Sequence, residues 1–171
     1  MTATITGQIA AVRKRIEEAA ARAGRSAASI RLLAVSKTVP PERIRQAILA
    51  GQTLFGENYV QEAREKIPAI GRDVEWHMIG HLQTNKAKYV VQLFDWIHSV
   101  DRLDLARELD RRAGQHNRKL NILLEVNISG EESKSGVEAS GTIDLVRQIA
   151  LLPNLRIRGL MTMPPFTDDC E

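Results

Sequence analysis

The chain has little cysteine and no long apolar run, and each scarcity excludes a class of protein. The single cysteine, Cys170, excludes an internal disulfide framework and a cysteine-based zinc site. No apolar run approaches the ~20 residues that cross a bilayer. Residues 1–7 have neither the basic region nor the apolar core of a secretory signal. We therefore expect a cytoplasmic protein that has no membrane partner.

A concentrated charge of either sign is also missing. The net charge is +3, and the basic pair Arg111 and Arg112 stands beside the acidic residues Glu108 and Asp110. Nucleic-acid-binding proteins usually gather basic residues into a patch or stripe, so we expect no nucleic-acid partner. The length, 171 residues, fits a single domain covering residues 1–171 that can bury a sizeable core.

Short apolar strands and amphipathic helices alternate along the chain after a first helix with Ile5, Ile9, Val12 and Ile16 on one face. The predicted strands are 30–36, 53–56, 74–79, 96–100, 120–128 and 155–160. The predicted helices that follow them are 42–50, 59–67, 84–91, 103–113 and 143–152. Such repeated βα units form parallel sheets, because a helix supplies the crossover between parallel strands.

Two α/β architectures fit this order, an open doubly wound sheet and a closed (β/α)8 barrel. The helix lengths do not decide between them. The sequence has neither the Gly-x-Gly-x-x-Gly dinucleotide fingerprint nor the phosphate loop that ends in Gly-Lys-Ser/Thr. In both architectures the functional face lies at the carboxyl ends of the strands.

Polar side chains recur at the ends of all six predicted strands, which predicts a binding pocket there. The set comprises Ser36, Lys37, Glu57, Asn58, His77, His81, His98, Asp101, Glu125, Asn127 and Thr162, with Met161 beside them. His81 and His98 have no carboxylate or second histidine at metal-ligand spacing, so we expect no metal site. His77 lies within a strand, where a hydrogen-bonded core histidine and a ligand contact remain equally open.

Lys37 ends an apolar run and is followed by Pro40 and Pro41, which stop the strand. Two interpretations of this lysine stay open on this stretch alone. Burial would favour the neutral amine, a nucleophile that forms Schiff bases with aldehydes. Alternatively, its stem lies on apolar surface and its ammonium group reaches water.

Several motifs at these strand ends occur together in one order and spacing. They are Ala34-Val35-Ser36-Lys37-Thr38, Phe55-Gly56-Glu57-Asn58-Tyr59-Val60-Gln61-Glu62, Trp76-His77-Met78-Ile79-Gly80-His81-Leu82-Gln83-Thr84-Asn85-Lys86, His98-Ser99-Val100-Asp101, Asn127-Ile128-Ser129 with Ser133-Lys134-Ser135-Gly136, and Gly159-Leu160-Met161-Thr162-Met163. In combination they resemble the YggS/PROSC family of pyridoxal-phosphate-binding proteins, which is alanine-racemase-like.

The resemblance implies a (β/α)8 TIM-barrel type of fold, the fold type III barrel of pyridoxal-phosphate proteins. It implies pyridoxal 5'-phosphate (PLP) held as a Schiff base on Lys37, with Asn58, His77 and Met161 as candidate contacts to the cofactor ring. It further implies a role in vitamin B6/PLP homeostasis, with PLP-dependent apoenzymes as possible recipients and no established turnover.

The chain departs from the family in one respect. Family members continue for some tens of residues, through two more βα units and the loops that hold the cofactor phosphate, whereas this chain ends at Glu171. We therefore expect a C-terminally incomplete barrel. We expect a monomer for the full-length form, and lower stability or self-association together with weaker cofactor binding for the chain of 171 residues.

The alternative is a PLP-dependent enzyme that acts on amino acids, as alanine racemase does. A racemase needs a base on each face of the substrate, and one group cannot reach both. Lys37 would serve one face, while the two tyrosines, Tyr59 and Tyr89, fall at a helix start and within a helix. The sequence therefore favours a carrier over an enzyme.

Overall fold

The computed structural model describes residues 4–129 and 135–164, so Cys170 and the motif residues Ser133 and Lys134 lie outside the described part. Helices and strands alternate. The helices are α1 (Ile5–Arg22), α2 (Pro41–Leu49), α3 (Val60–Ile70), α4 (Ala87–Leu93), α5 (Leu103–Gln115) and α6 (Thr142–Ile149). The strands are β1 (Ala34–Val35), β2 (Leu54–Glu57), β3 (Glu75–Met78), β4 (Trp96–Val100), β5 (Leu120–Asn127), β6 (Val137–Glu138) and β7 (Leu155–Met161).

The strands form one parallel sheet in which neighbours in the chain are neighbours in space. The order is β1-β2-β3-β4-β5, with β7 paired to β5 and the two-residue β6 paired to the last residues of β5. From α1 to α6 each helix contacts the next helix along the chain. A doubly wound sheet would reverse its strand order and carry helices on both faces, so this arrangement is of the barrel type.

Register across the sheet separates two faces, because directly paired residues point to the same side. One row of paired residues, with its neighbours, is fully buried and packs against the helices in a single apolar core. It includes Phe55, Trp76, Met78, Ile97 and Ile122. The opposite face, called the inner face here, carries the row Val35, Gly56, His77, Trp96, Asn121 and Arg156.

The two outer strands leave part of the sheet uncovered. Among the described residues β1 pairs with β2 alone and β7 with β5 alone. Val35, on the inner face of β1, is 50% exposed. Leu160 on β7 pairs with the core residue Leu124 and so lies on the helix side of the sheet, where it is 60% exposed. Within the described residues no helix has the length and apolar character needed to cross a membrane.

Most predicted elements are confirmed. Helix α4 begins at Ala87, after a 3₁₀ turn, and not at 84, and α6 ends at Ile149 and not at 152. Three further differences concern β1, α3 and β6. The first strand covers Ala34–Val35 and not 30–36, because it has a ladder partner on one side only. Helix α3 continues through Pro68 to Ile70, three residues beyond the predicted end. This proline lies in the last turn, where a missing N–H removes a single helical hydrogen bond. Strand β6 was not predicted.

Candidate ligand-binding site

A cavity of about 290 Å³ opens at the carboxyl ends of the strands. Its walls come from the segments that follow β2 and β3, from the end of β5, from Ser135 and from the end of β7. The lining residues are Asn58, Ile79, Gly80, His81, Glu125, Val126, Asn127, Ser135, Met161 and Met163. The sheet therefore brings together four of the six strand ends that the sequence marked as a pocket, those of β2, β3, β5 and β7.

Two buried oxygen atoms in this wall lack a hydrogen-bond partner among the described residues. They are Oδ1 of Asn58 and Oε2 of Glu125. A buried acceptor that is left without a donor costs about 1–3 kcal/mol, and native proteins keep few of them. The cavity is thus suited to a ligand that brings hydrogen-bond donors.

Glu125 is 8% exposed and lies next to a second carboxylate, that of Asp101. Burial raises the pKa of Glu125, and the negative charge of Asp101 adds to the shift. Asp101 is itself neutralised by Arg102, whose Nη1 donates to Oδ1 at 2.6 Å. The Glu125 carboxyl group therefore gains from a donor or a positive charge that enters the cavity.

The wall between β2 and β3 is tight because Gly80 packs directly on Asn58. A Cβ atom at Gly80 would stand 2.4 Å from the carbonyl oxygen of Asn58 and 2.7 Å from its Cα. Both are backbone atoms and cannot swing away. Glycine at this position fixes where Asn58 presents its side chain to the cavity.

A chain of hydrogen bonds crosses the inner face below the cavity. Arg31 donates to Glu75 at 2.9 Å, Nε2 of His77 lies 2.8 Å from the same Glu75 oxygen, and Nδ1 of His77 lies 2.8 Å from Nε2 of His98. Because the carboxylate accepts, His77 Nε2 donates and His77 Nδ1 must accept from His98. The ring of His77 also stacks on Trp96 at 5.6 Å between centroids.

Burial disfavours the charged form of both imidazoles in this chain of hydrogen bonds. Burial lowers the pKa of His77, and the bond to Glu75 opposes that shift. Burial also lowers the pKa of His98 to about 4, with the neighbouring His77 adding to the effect.

Within the described residues no group of three His, Cys, Asp or Glu side chains could hold a metal ion.

Lys37 stands in a turn directly after β1, and its side chain is exposed. It is not among the residues that line the cavity, whereas Asn58 and Met161 are. His77 is 4% exposed and bonded on both ring nitrogens. Glu125, His81 and Ser135 complete the site. The sequence placed Glu125 and His81 among the strand-end residues of a predicted pocket, but it did not single them out as contacts for a ligand.

The fold and site place the chain in a class of known proteins. It matches the family model of the N-terminal domain of alanine racemase over residues 8–171. An alanine racemase from Clostridium difficile superposes with a TM-score of 0.66 over 78% of this chain and 35% of the racemase, at 14% identity. The class is thus the parallel α/β barrel type of that domain, and the predicted barrel-type fold is confirmed.

Nearer relatives narrow the class to a family. The pyridoxal phosphate homeostasis proteins of Pasteurella multocida and Aquifex aeolicus are 46% and 45% identical over 97% and 96% of this chain, which spans 72% of each relative. The chain belongs to the family of pyridoxal phosphate homeostasis proteins. PipY of Synechococcus elongatus, solved with PLP bound, has 39% identity and a TM-score of 0.76, covering 89% of this chain and 71% of PipY.

Proposed function

We propose that this protein binds pyridoxal 5'-phosphate and serves PLP homeostasis, with Lys37 carrying the cofactor as a Schiff base. The observation that carries the proposal is the match to PipY, a protein of the same family whose structure was solved with PLP bound. The cavity at the carboxyl ends of the strands supports it, since ligands of such barrels bind at that face.

The residues of the cavity fit the ring of this cofactor. Its ring hydroxyl and, when protonated, its ring nitrogen are hydrogen-bond donors, and the cavity offers the unpartnered acceptors Asn58 Oδ1 and Glu125 Oε2. Met161 supplies an apolar wall. When bound, the cofactor supplies an aldehyde carbon, which a neutral lysine amine attacks.

The proposed roles of the four predicted residues differ. Lys37 supplies the amine, from the turn that follows β1 at the same end of the sheet as the cavity. Asn58 and Met161 contact the ring from the cavity wall. For His77 a direct contact has less support, since Glu75 and His98 already occupy its two nitrogens.

The proposal extends to location, recipients and assembly. We place the protein in the cytoplasm and expect it to pass PLP to PLP-dependent apoenzymes, which cell fractionation and transfer to a purified apoenzyme test. We also expect the 171-residue chain to be less stable than a full-length relative or to self-associate, because β1 and β7 are sheet edges among the described residues and such edges pair with other chains. Analytical ultracentrifugation over a range of concentrations and a thermal melt beside a full-length relative test this, and a monomer that melts at the same temperature as the relative would contradict it.

An absorbance spectrum tests the proposed function directly. Purified protein incubated with PLP should develop the near-visible band of a Schiff base, and borohydride should fix the cofactor irreversibly. No band and no fixed cofactor at saturating PLP would contradict the proposal. Racemisation of amino acids at roughly 1–1000 per second, the usual range for enzymes, would favour the enzyme alternative.

A further inference from the structure

The turn that carries Lys37 is held on both sides by helix α3. Nζ of Lys66 donates to the carbonyl oxygen of Ser36 at 2.5 Å, and the N–H of Thr38 donates to Oε1 of Glu62 at 2.7 Å. These two backbone groups belong to the two peptide bonds of Lys37, one before it and one after it. Both peptide planes are thus bonded to side chains one helical turn apart on α3.

The two holding groups are joined to each other and anchored in the core. Lys66 pairs with Glu62 at 2.5 Å and with Glu57 at 3.1 Å, and it is 6% exposed. Glu57 is fully buried, and its Oε1 also accepts from the hydroxyl of Ser36 at 2.7 Å. We call Glu62 and Lys66 of α3, together with Glu57 of β2 that anchors Lys66, the α3 clamp.

The backbone inside the α3 clamp adopts a conformation that its sequence disfavours. Thr38 has φ of +60°, the left-handed region in which a β-branched residue is an outlier. Such conformations cost of order 1–3 kcal/mol and persist where the surroundings hold them, most often at functional sites. The contact of Glu62 with the Thr38 N–H is one of those holding interactions.

A buried ion cluster is a poor source of stability by itself. Removing two charges from water costs about as much as their attraction returns, and apolar residues of similar size often serve stability equally well. Two bonds of the cluster here are directed at the peptide groups on either side of Lys37, the lysine that the proposed function uses. Its position is better explained by orientation of that lysine than by stability.

We propose that the α3 clamp is a positioning device that orients Lys37 for Schiff-base formation. None of its three members is placed in contact with the cofactor, so all three are positioning residues. The inference rests on the proposed function, because orienting Lys37 has this consequence only where Lys37 carries the cofactor. The clamp itself, two bonds that fix the peptide groups of Lys37, is tested separately from cofactor binding.

The decisive variant is Lys66→Met, which keeps the length of the side chain and removes its charge and donors. Arg118→Met is the matched control, because Arg118 is also a partly buried cation that donates to backbone carbonyls, those of Val91 and Phe94. Lys66→Arg is the rescue variant. Each protein is measured for its melting temperature, for hydrogen exchange of the Thr38 amide by NMR, and for the rate of Schiff-base formation with PLP.

We expect Lys66→Met to exchange the Thr38 amide at least about tenfold faster and to form the Schiff base at least about tenfold more slowly, since misplacing a reacting group by 1 Å can cost about 100-fold. Arg118→Met should lower the melting temperature and leave both readouts as in the wild type. Lys66→Arg should restore part of the slow Thr38 amide exchange and part of the rate of Schiff-base formation. Wild-type exchange and rate in Lys66→Met, or equal losses in Arg118→Met, would overturn the proposal.

A second variant covers the case in which Lys66→Met does not fold. Glu62→Ala alters a side chain that is 25% exposed and removes the acceptor of the Thr38 N–H. It should accelerate exchange of that amide and slow the reaction with PLP at little cost in melting temperature. An unchanged Thr38 amide would refute the clamp. If wild-type protein forms no Schiff base, the proposed function fails while the exchange result still decides whether the clamp exists.

Discussion

Two polar clusters of this molecule differ in how completely their hydrogen-bonding groups are satisfied. On the inner face, Arg31, Glu75, His77 and His98 form an unbroken chain of hydrogen bonds. At the strand ends, Asn58 and Glu125 each keep a buried oxygen without a partner among the described residues. A satisfied network stabilises the fold, whereas unpartnered acceptors cost free energy that a ligand can recover. We therefore assign a structural role to the cluster on the inner face and a ligand-binding role to the cluster at the strand ends.

The largest expected effect is the loss of the cofactor linkage in Lys37→Ala. An alanine has no amine, so the near-visible band should disappear entirely while the melting temperature stays close to that of the wild type, because this side chain is exposed. Absorbance after incubation with PLP measures the band. Lys88→Ala, which changes another exposed lysine of the chain, is the control and should keep the band. A band of wild-type intensity in Lys37→Ala would contradict the assignment.

The comparison of the two clusters is tested by substituting one member of each. His77→Ala leaves His98 without its partner, removes one of the two donors to Glu75 and opens a void, so it should lower the free energy of unfolding by about 3 kcal/mol. Glu125→Gln keeps the volume and removes a carboxyl group whose pKa is raised by burial, so it should lower that free energy by less than about 0.5 kcal/mol. Urea titrations of the two variants measure both values.

The same two variants should rank in the opposite order for their loss of PLP affinity. Glu125→Gln should weaken PLP binding more than His77→Ala does, because an acceptor in the cavity is replaced by an amide that can present a donor. A titration followed by absorbance measures the dissociation constant. Two results would show that the division between structural and binding clusters is wrong. One is an unchanged free energy of unfolding in His77→Ala, and the other is a loss of that free energy in Glu125→Gln as large as in His77→Ala.

A smaller effect is expected from Gly80→Ala, which alters the position of Asn58. The added Cβ would meet the Asn58 backbone at 2.4 Å, and overpacking of this kind costs typically about 1–3 kcal/mol. Asn58 should move, so PLP affinity should fall as well. Gly7→Ala is the control, since the nearest atom to its added Cβ is a Thr4 side-chain oxygen at 3.3 Å. An unchanged affinity in Gly80→Ala would show that the position of Asn58 is unimportant.

The smallest expected effect concerns pH. His98 has a folded-state pKa of about 4, below its ordinary value of 6.5, so between these values the unfolded chain binds more protons and His98 destabilises the fold as pH falls. Burial raises the pKa of Glu57 and Glu125, so those groups act in the opposite direction. His98→Asn should therefore flatten the loss of stability between about pH 6.5 and 4, as measured by urea titration. An unchanged slope would contradict the buried neutral state of His98.

The sequence predicted the architecture better than the site. Apolar periodicity marks elements whose burial is complete, and β4 was predicted with its observed bounds, Trp96–Val100. Periodicity is less informative for β1, because an edge strand has a short ladder, and for β6, whose two residues form no pattern. The predicted pocket at the strand ends followed from the parallel order alone.

What the sequence could not show is which polar groups meet. The hydrogen bonds between His77 and His98 and the contacts of α3 with the Lys37 turn join residues about 20 to 30 positions apart. One signal for the latter was available: Glu62 and Lys66 have the spacing of a helical ion pair, and Lys66 lies three residues after the core residue Ala63, on the same face of the helix. A lysine on the apolar side of a helix indicates a buried partner, here Glu57.

The central claim is that Lys37 is the residue that carries the cofactor, and the most direct test is chemical. The protein is incubated with PLP, reduced with borohydride, digested and analysed by mass spectrometry, with the fraction of cofactor on each lysine as the measurement. The account predicts that the peptide containing Lys37 carries most of the label. Label found mainly on Lys66, Lys86 or Lys134, with Lys37 unmodified, would contradict it.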